Sequence, residues 1–589
     1  MDSALYEVPF VVGVTGHRDL LPDQVPVIRA AIRSLFEQLT AAHPGVRIQL
    51  LCSMADGADL LAAQVALDLG LGVLALLTFP EDICRADLLS EEARESFDFV
   101  MTRAERLELP LAAGVTRESL ADGSRARDRQ YQHAALLLAR YCSLLLAIWD
   151  GKPTTHVAGS ARVVDFRRRG LRLSDGHDLS PADVLLSASD NDLLFDIRCG
   201  RATAAAGSTP AEVTIPGFSG AEVTPSPGRG TFELPLSLQR LLARTEQFNQ
   251  DSQENRAGIA SRGWPLTQAD SGPQPAGLAL LDQLFVQADF LGSLYRRRFL
   301  YAIMVRYTLW AAMASLLFSF EHVPSGARGV SLILGVVAIF TVAQVHARRA
   351  HRYSWHRKYL DYRALAEALR VDYYWEVTGV RRRYSGEFAH ESFLQKQDAE
   401  LEWIRAAMRS VSLRVAMHPE QPSPAAFAVA LRGWIGDDTA AGRHGQINYY
   451  GARSNHLAQV MHKLESVGRL MRGAGMVLAI AVLADIVAGF AGHSLGREEE
   501  HHYVLWGMAL LTMFAGILES YLHERADRTL VRQYRYMHSL FGCAARELQA
   551  AGSLDDRLDV LRSLGRACLT EHAQWTLAQR DRTIQGLKW

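Results

Sequence analysis

VVGVTGHRDL, Val11–Leu20, decides how the first half of the chain folds. An apolar run breaks at Gly13, sets the hydroxyl of Thr15 beside Gly16, and ends on His17 and Arg18. That order predicts a buried strand leading into a polar, glycine-flanked turn. Working outward, VPFVVGVTG is the strand, and Val25–Ala41 follows as an amphipathic helix with Val27, Ile28, Ile32, Leu35 and Leu39 on one face. RIQLLCSM is a second strand and Ala58–Leu69 a second helix; GVLALLTFP is a third strand and Tyr141–Trp149 a fourth. Apolar strands alternating with helices predict a parallel sheet covered on both faces. DNDLLFDIRCGR (Asp190–Arg201) reads as a further strand, and GSTPAEVTIPGFSGAEVTPSPGRG after it as an excursion or linker. Leu236–Asn255 reads as a helix.

Three predicted strand ends carry small or polar residues: GVTGHRD, CSMADGAD and WDGKPTTHVAGSAR. Ligands of open parallel sheets bind beyond such ends. The candidate ligand-binding residues are Gly13, Thr15, Gly16, His17, Arg18, Ser53, Asp56, Gly57, Asp59, Trp149, Asp150, Gly151, Gly159 and Ser160. Glycines let a ligand approach the backbone, helix N-termini favour phosphate, and His17 and Arg18 add charged donors. Each loop alone reads equally well as a turn with a helix cap; three at one sheet edge point to a pocket for an anionic, nucleotide-like ligand. If the domain is instead an enzyme, His17, Asp56, Asp59 and Asp150 are the acid–base candidates.

The chain has 589 residues, with 63 Lys plus Arg against 64 Asp plus Glu. Neither that balance nor any basic, aromatic-interleaved stripe in the soluble part indicates nucleic acid. Six scattered cysteines without a CxxC pair suit reduced thiols and give no zinc site. The start, MDSALYEVPF, has neither the basic nor the apolar region of a signal peptide.

The second half holds four apolar stretches, Tyr301–Phe320, Gly329–Ala347, Gly473–Gly492 and Tyr503–Leu522. Each is about 20 residues, enough for a helix to cross hydrocarbon. YRRRF, HARRAHRYSWHRK, the trio Lys463, Arg469 and Arg472, and Arg525, Arg528, Arg532 and Arg535 flank them on one side, while only short loops, one with Glu321 and Arg328 and one with Arg497–Glu500, lie on the other. Basic residues stay in the cytoplasm, so four spans with both termini cytoplasmic are expected. A shift of about 172 residues lays one hairpin on the other. Before the third span, Leu457, Val460, Leu464, Val467 and Met471 form a 3,4-spaced seam, for packing within the protein or between subunits. Arg306, Asp485 and Glu519 are polar residues within the spans and candidates for gating; Glu519 is expected to pair with Arg525 or a neighbour, and Gly473 and Gly475 to ease close helix approach or mark a bend.

VGVTGHRDL, CSMADGADLLAAQVAL and AIWDGKPTTHVAGSARVV resemble the SLOG superfamily of Rossmann-like domains, which includes the cytokinin-activating LOG enzymes. The resemblance covers residues 8–205 and implies binding of a nucleotide or a NAD- or ADP-ribose-like signal. This sequence departs from the pattern at Ala158-Gly159-Ser160-Ala161, where a GGT loop is expected, and it lacks the PGGxGTxxE signature of LOG catalysis. YRALAEALRVDYYW and INYYGARSNHLAQVMHKLESVGRL resemble SLATT domains, two-span effector modules of bacterial conflict systems. Together they imply an α/β Rossmann-like domain (residues 1–205), a linker and helix (206–290), and two membrane hairpins with long cytoplasmic helices (291–412 and 413–589). The function implied is an oligomeric membrane effector of antiphage defence, gated by a nucleotide-derived ligand through pore formation or membrane disruption. A membrane-tethered enzyme cleaving such a ligand, and a constitutive channel or scaffold, are the alternatives. The partners expected are the bilayer, the small-molecule ligand and further copies of the chain, and no metal.

Overall fold

The computed structural model of the chain describes residues 5–112, 115–120, 125–153, 159–169, 193–203, 212–219, 232–267, 274–320, 326–384, 389–392, 401–417, 423–436, 445–490, 498–525 and 527–585. Contacts divide the chain into two units. The first comprises residues 1–291, 361–426 and 561–589, and the second 292–360 and 427–560.

The first unit is built on a seven-stranded sheet. Its strands are β1 (Phe10–Gly16), β2 (Ile48–Cys52), β3 (Gly72–Leu77), β4 (Glu105–Glu108), β5 (Leu144–Trp149), β6 (Leu193–Arg198) and β7 (Thr214–Ser219), in the order β4-β3-β2-β1-β5-β6-β7. β1 to β6 pair in parallel and β7 pairs antiparallel with β6. β2 and β5 are buried at every residue, as strands of a sheet covered on both faces must be. On one face lie α1 (Val25–Ala42), α2 (Ala58–Asp68) and α4 (Glu91–Met101), which follows the short α3 (Glu81–Ala86). α5 (Arg125–Tyr141) and α6 (Ser160–Arg169) lie on the other.

α1 buries Ile28, Ile32, Leu35 and Leu39 as the periodicity predicts, but Val27 is half exposed and belongs to the outer face. The fourth apolar run is helical to Tyr141 and becomes strand only at Leu144. Two strands escape the sequence reading. β4 is ERLE, a charged edge strand. β7, TIPGFS, lies within the stretch read as an excursion; Pro216 is tolerated there because β7 ends the sheet and its ladder has only one neighbour. α7 (Leu236–Glu254) is the helix expected there.

The sheet's second face is closed by a helix far away in sequence. Leu413 and Met417 join the core formed by Val11, Leu51, Leu74, Leu138 and Leu145. The second unit holds most of α8 (Ala276–Phe320), and with it α9 (Ala327–Arg352), the first turn or so of α10 (Trp355–Val377), and α12–α14 introduced below. The rest of α10 and α11 (Glu402–Ala416), which carries Leu413, belong to the first unit. There the aromatic tail of α10 is buried at Tyr373, Tyr374 and Trp375, and Trp375 donates to the Leu561 carbonyl at 3.0 Å.

In the second unit, α13 (Glu498–Arg525) and α14 (Asp527–Ala550) each pack along α12 (Gln446–Phe490); α15 (Leu554–Gln585) starts there and continues into the first unit. Among the described residues four helices are long and apolar enough, by length and composition, to cross a membrane. They carry the four apolar stretches, whose side chains are exposed at Val337, Phe340, Ile480, Leu483 and Val487; apolar surface of that extent marks a membrane or protein interface. The starts of α8, α9 and α10 recur in α12, α13 and α14 at an offset of about 172 residues. The hairpin loops fall at 321–325 and 491–497, outside the described residues.

The α12 seam differs in register from the expected one. Its buried positions are Ile447, Tyr450, Ser454, Leu457, Gly468, Gly475 and Val482; of the expected seam Val460, Leu464 and Met471 are half-buried and Val467 falls outside it. Val467 is 45% exposed. Glycine explains the shift: at Gly468 a Cβ would lie 3.7 Å from Leu518, and at Gly475 3.2 Å from Thr512, so α13 sits close on that line. Nothing lies within 4 Å of a Cβ at Gly473. Of the polar span residues, Glu519 pairs with Arg472 at 3.0 Å rather than with Arg525, Arg306 pairs with Glu524, and Asp485 is half-buried.

Candidate ligand-binding site at the sheet crossover

β2, β3 and β4 extend from one side of β1, and β5 returns to its other side. The crossover therefore falls between β1 and β5, the place where open α/β sheets hold ligands beyond the strand ends. The three loops singled out in the sequence leave β1, β2 and β5, and they meet at the Gly16–His17 peptide. The His17 N–H donates to the Ile148 carbonyl at 2.9 Å, and the His17 carbonyl accepts from Ala58 N–H at 3.1 Å. Ser160 Oγ donates to the Gly16 carbonyl at 2.6 Å. Asp150 N–H donates to His17 Nε2 at 2.8 Å. Gly16, His17, Gly57, Asp150 and Ser160 are thus one cluster, with the starts of α2 and α6 beside it.

His17 uses Nε2 as an acceptor, which requires the neutral ring with its proton on Nδ1. Burial lowers its pKa, against the pull of the Asp150 carboxylate 3.3 Å away. Asp150 turns to cap its own loop, accepting from Lys152 N–H at 3.1 Å. Arg18 is exposed at the rim and reaches Tyr131 Oη at 3.4 Å. Tyr131 stacks edge-on against Phe79, and Asp87 binds Arg127 beside them. Tyr131, Asp87 and Arg127 were not singled out in the sequence; no local motif marks them.

The glycines serve packing first. A Cβ at Gly13 would fall 2.8 Å from Cys142 Cβ, so that glycine lies within the core and not at the site. At Gly16 it would fall 2.3 Å from Ala58 Cβ. Gly57 has φ +73 and lies against the His17 and Arg18 carbonyls. Thr15 is buried. Of these glycines Gly159 alone is open among the described residues: φ is +116 and none of their atoms lies within 4 Å of a Cβ.

The two helix starts differ. Asp59 stands in the first turn of α2, buried under the loop and accepting from Ala55 N–H at 3.4 Å. Burial pushes its carboxyl up to about 7, against the loop N–H groups and Arg18. Ser53 is half-buried above it, and Asp56 accepts from Gly57 N–H at 2.7 Å. A carboxylate here competes with a bound anion for the dipole of α2. α6 has no acid in its first turn and starts at the open Gly159, so it offers the better phosphate seat. Residues 154–158 before it, including Ala158 of the departed GGT position, lie outside the described residues.

Trp149 and Gly151 belong to the wall of the site. Trp149 is 5% exposed and its indole N–H donates to Asp196 at 2.9 Å. Arg198 binds the other oxygen of Asp196 at 2.5 and 2.8 Å, lies over the Trp149 ring, and fills the space beside Gly151. Asp196 was legible in principle: a carboxylate in the apolar strand LLFDIR requires a buried partner. Asp19 ties the β1 loop to the β6 loop through Arg201 and Thr203.

Comparison of the chain with protein-family models, curated proteins and solved structures gives no match.

Proposed function

We propose that this protein is a membrane-embedded sensor, whose N-terminal Rossmann-like domain binds a nucleotide-derived anion between β1 and β5 and whose hairpins respond to it. The observation that carries the reading is the convergence of three polar strand ends and two helix starts at the sheet crossover of a chain with four apolar helices. In this reading the phosphate sits at α6 beside Gly159, and Arg18 meets it from the rim. The long helix α8 is continuous from Ala276 to Phe320 and links the two units covalently. The basic flanks support a topology with both termini in the cytoplasm. The likeness to SLOG and SLATT modules adds the context, an oligomeric effector of bacterial antiphage defence that opens or disrupts the membrane.

The test is thermal stability of the full-length protein in detergent against nucleotides, cyclic oligonucleotides, NAD and ADP-ribose, with product analysis of every hit. The full chain is required because residues 361–426 and 561–589 belong to the sheet unit. Binding to the native state stabilises it by about 2.7 kcal/mol at a hundredfold excess over Kd. We expect such a rise with one class of ligand, recovered intact, and a much smaller rise in Arg18→Ala. No rise across the panel contradicts the proposal. The enzymatic alternative rests on Asp59, whose carboxyl titrates at about 7 near Arg18; consumption of the ligand would favour it.

A further inference from the structure

The basic residues beside the two hairpins divide into those paired with a carboxylate and those without one. In the second hairpin Arg472 pairs with Glu519 at 3.0 Å, Arg528 with Glu465 at 2.7 Å, and Arg525 with Asp527 at 3.0 Å, while Lys463, Arg469, Arg532 and Arg535 are exposed with no carboxylate within ion-pair distance among the described residues. In the first, Arg297, Arg298, Arg348, Arg349 and Arg352 are exposed, and among the described residues none has a carboxylate within ion-pair distance. Two contacts bring their stretches together: Phe299 lies against His356 with ring centroids 4.3 Å apart, and Lys358 lies 4.9 Å from the Tyr295 ring. Aromatic faces hold two of the guanidiniums, Arg298 over Tyr295 and Arg349 over Tyr353. The apolar surface begins within one to two turns of the arginines, at Tyr301 and Met304 on α8 and at Val342 and Val345 on α9, all about half exposed.

We infer that this arginine cluster, at the base of the first hairpin, is a binding site for the phosphate of anionic lipid headgroups. Five exposed cations with no counter-charge among the described residues favour an anion beside them. Their position directly beside lipid-compatible apolar surface makes that anion a headgroup rather than a solute. Arginine offers a planar fork that matches phosphate. In the second hairpin the protein's own carboxylates occupy the three paired arginines. The inference rests on the reading of these helices as membrane spans.

The test is native mass spectrometry of the full-length protein from detergent, with dioleoyl phosphatidylglycerol or dioleoyl phosphatidylcholine added. Each basic residue at a membrane surface is worth about fivefold in affinity for anionic lipid. We expect at least about fivefold greater retention of the phosphatidylglycerol, lost in Arg348→Gln/Arg349→Gln/Arg352→Gln and, independently, reduced in Arg297→Gln/Arg298→Gln. Arg472→Gln/Arg528→Gln keeps the preference. Equal retention of both lipids, or a preference that survives the triple substitution, overturns the inference. Displacement of the bound lipid by excess glycerol phosphate also overturns it, by reassigning the site to a soluble anion. A protein that stays dispersed without detergent and holds no lipid of either kind refutes the spans themselves.

Discussion

Gly16→Val is expected to disable the sheet unit. A Cβ at that position falls 2.3 Å from Ala58 Cβ, 2.7 Å from the Ile148 carbonyl oxygen and 3.0 Å from Ile148 Cβ. None of these atoms can rotate away. Relief requires α2 to move off the end of β1, breaking the Ala58–His17 hydrogen bond that joins them. Overpacking of a core costs about 1–3 kcal/mol where side chains can yield, and this site has only backbone and Cβ atoms to yield. We therefore expect a loss at or above about 3 kcal/mol. It is read as a lowered thermal midpoint and greater protease sensitivity of the full-length protein. A midpoint equal to that of the wild type would contradict the packing described for the site.

Acid is expected to destabilise the first unit in two stages, through a buried ionic cluster where α10 meets α15. Glu367 is 4% exposed, binds Arg363 at 2.8 Å and Arg370 closely, and has His572 at 3.7 Å. Burial works to raise its pKa, but Arg370 and Arg363 outweigh burial and hold it at about 2. Burial, reinforced by the two arginines against the pull of Glu367, lowers His572 to about 4. Unfolded His572 takes up its proton near pH 6.5, whereas the folded ring resists until about 4. Between those values the unfolded state binds more protons, so stability falls as pH falls. Glu367 extends the loss from about pH 4.5 to about 2 for the same reason. Each displacement corresponds to about 3 kcal/mol at full extent. His572→Gln is expected to flatten the upper stage of the profile of thermal midpoint against pH. Glu367→Gln removes the negative charge that the two arginines share, with an expected loss of about 3–5 kcal/mol already at neutral pH. Parallel profiles for the wild type and His572→Gln would contradict the assignment.

What the sequence discloses is what local pattern encodes. β1, β2, β3 and β5 are apolar runs of strand length, and the four long apolar helices announce themselves by hydropathy. β4 and β7 do not, because an edge strand is buried less and carries charge or proline without penalty. α11 was invisible as a layer on the sheet. Its charged Glu402, Arg405 and Arg409 are buried, both arginines donating to Glu402 at 2.9–3.0 Å, a pairing that no local pattern announces. At the site, the three strand ends were legible but the reason for their glycines was not. Gly13 yields to Cys142 and Gly16 to Ala58, contacts between residues distant in sequence that no turn motif records. The α12 seam shows the same limit: a 3,4 spacing fits two adjacent registers, and the small residues Gly468 and Gly475 select between them only once α13 is in place.

The central claim is that occupancy of the β1–β5 crossover changes the state of the membrane helices. A ligand moves such an equilibrium only by binding one state better than the other. The most direct measurement is release of a trapped solute from liposomes carrying the full-length protein, with and without the ligand that stabilises it in detergent. The account predicts ligand-dependent release in the wild type, with the response displaced to higher ligand concentration in Arg18→Ala. Release that is the same with and without a ligand shown to bind the reconstituted protein would contradict it.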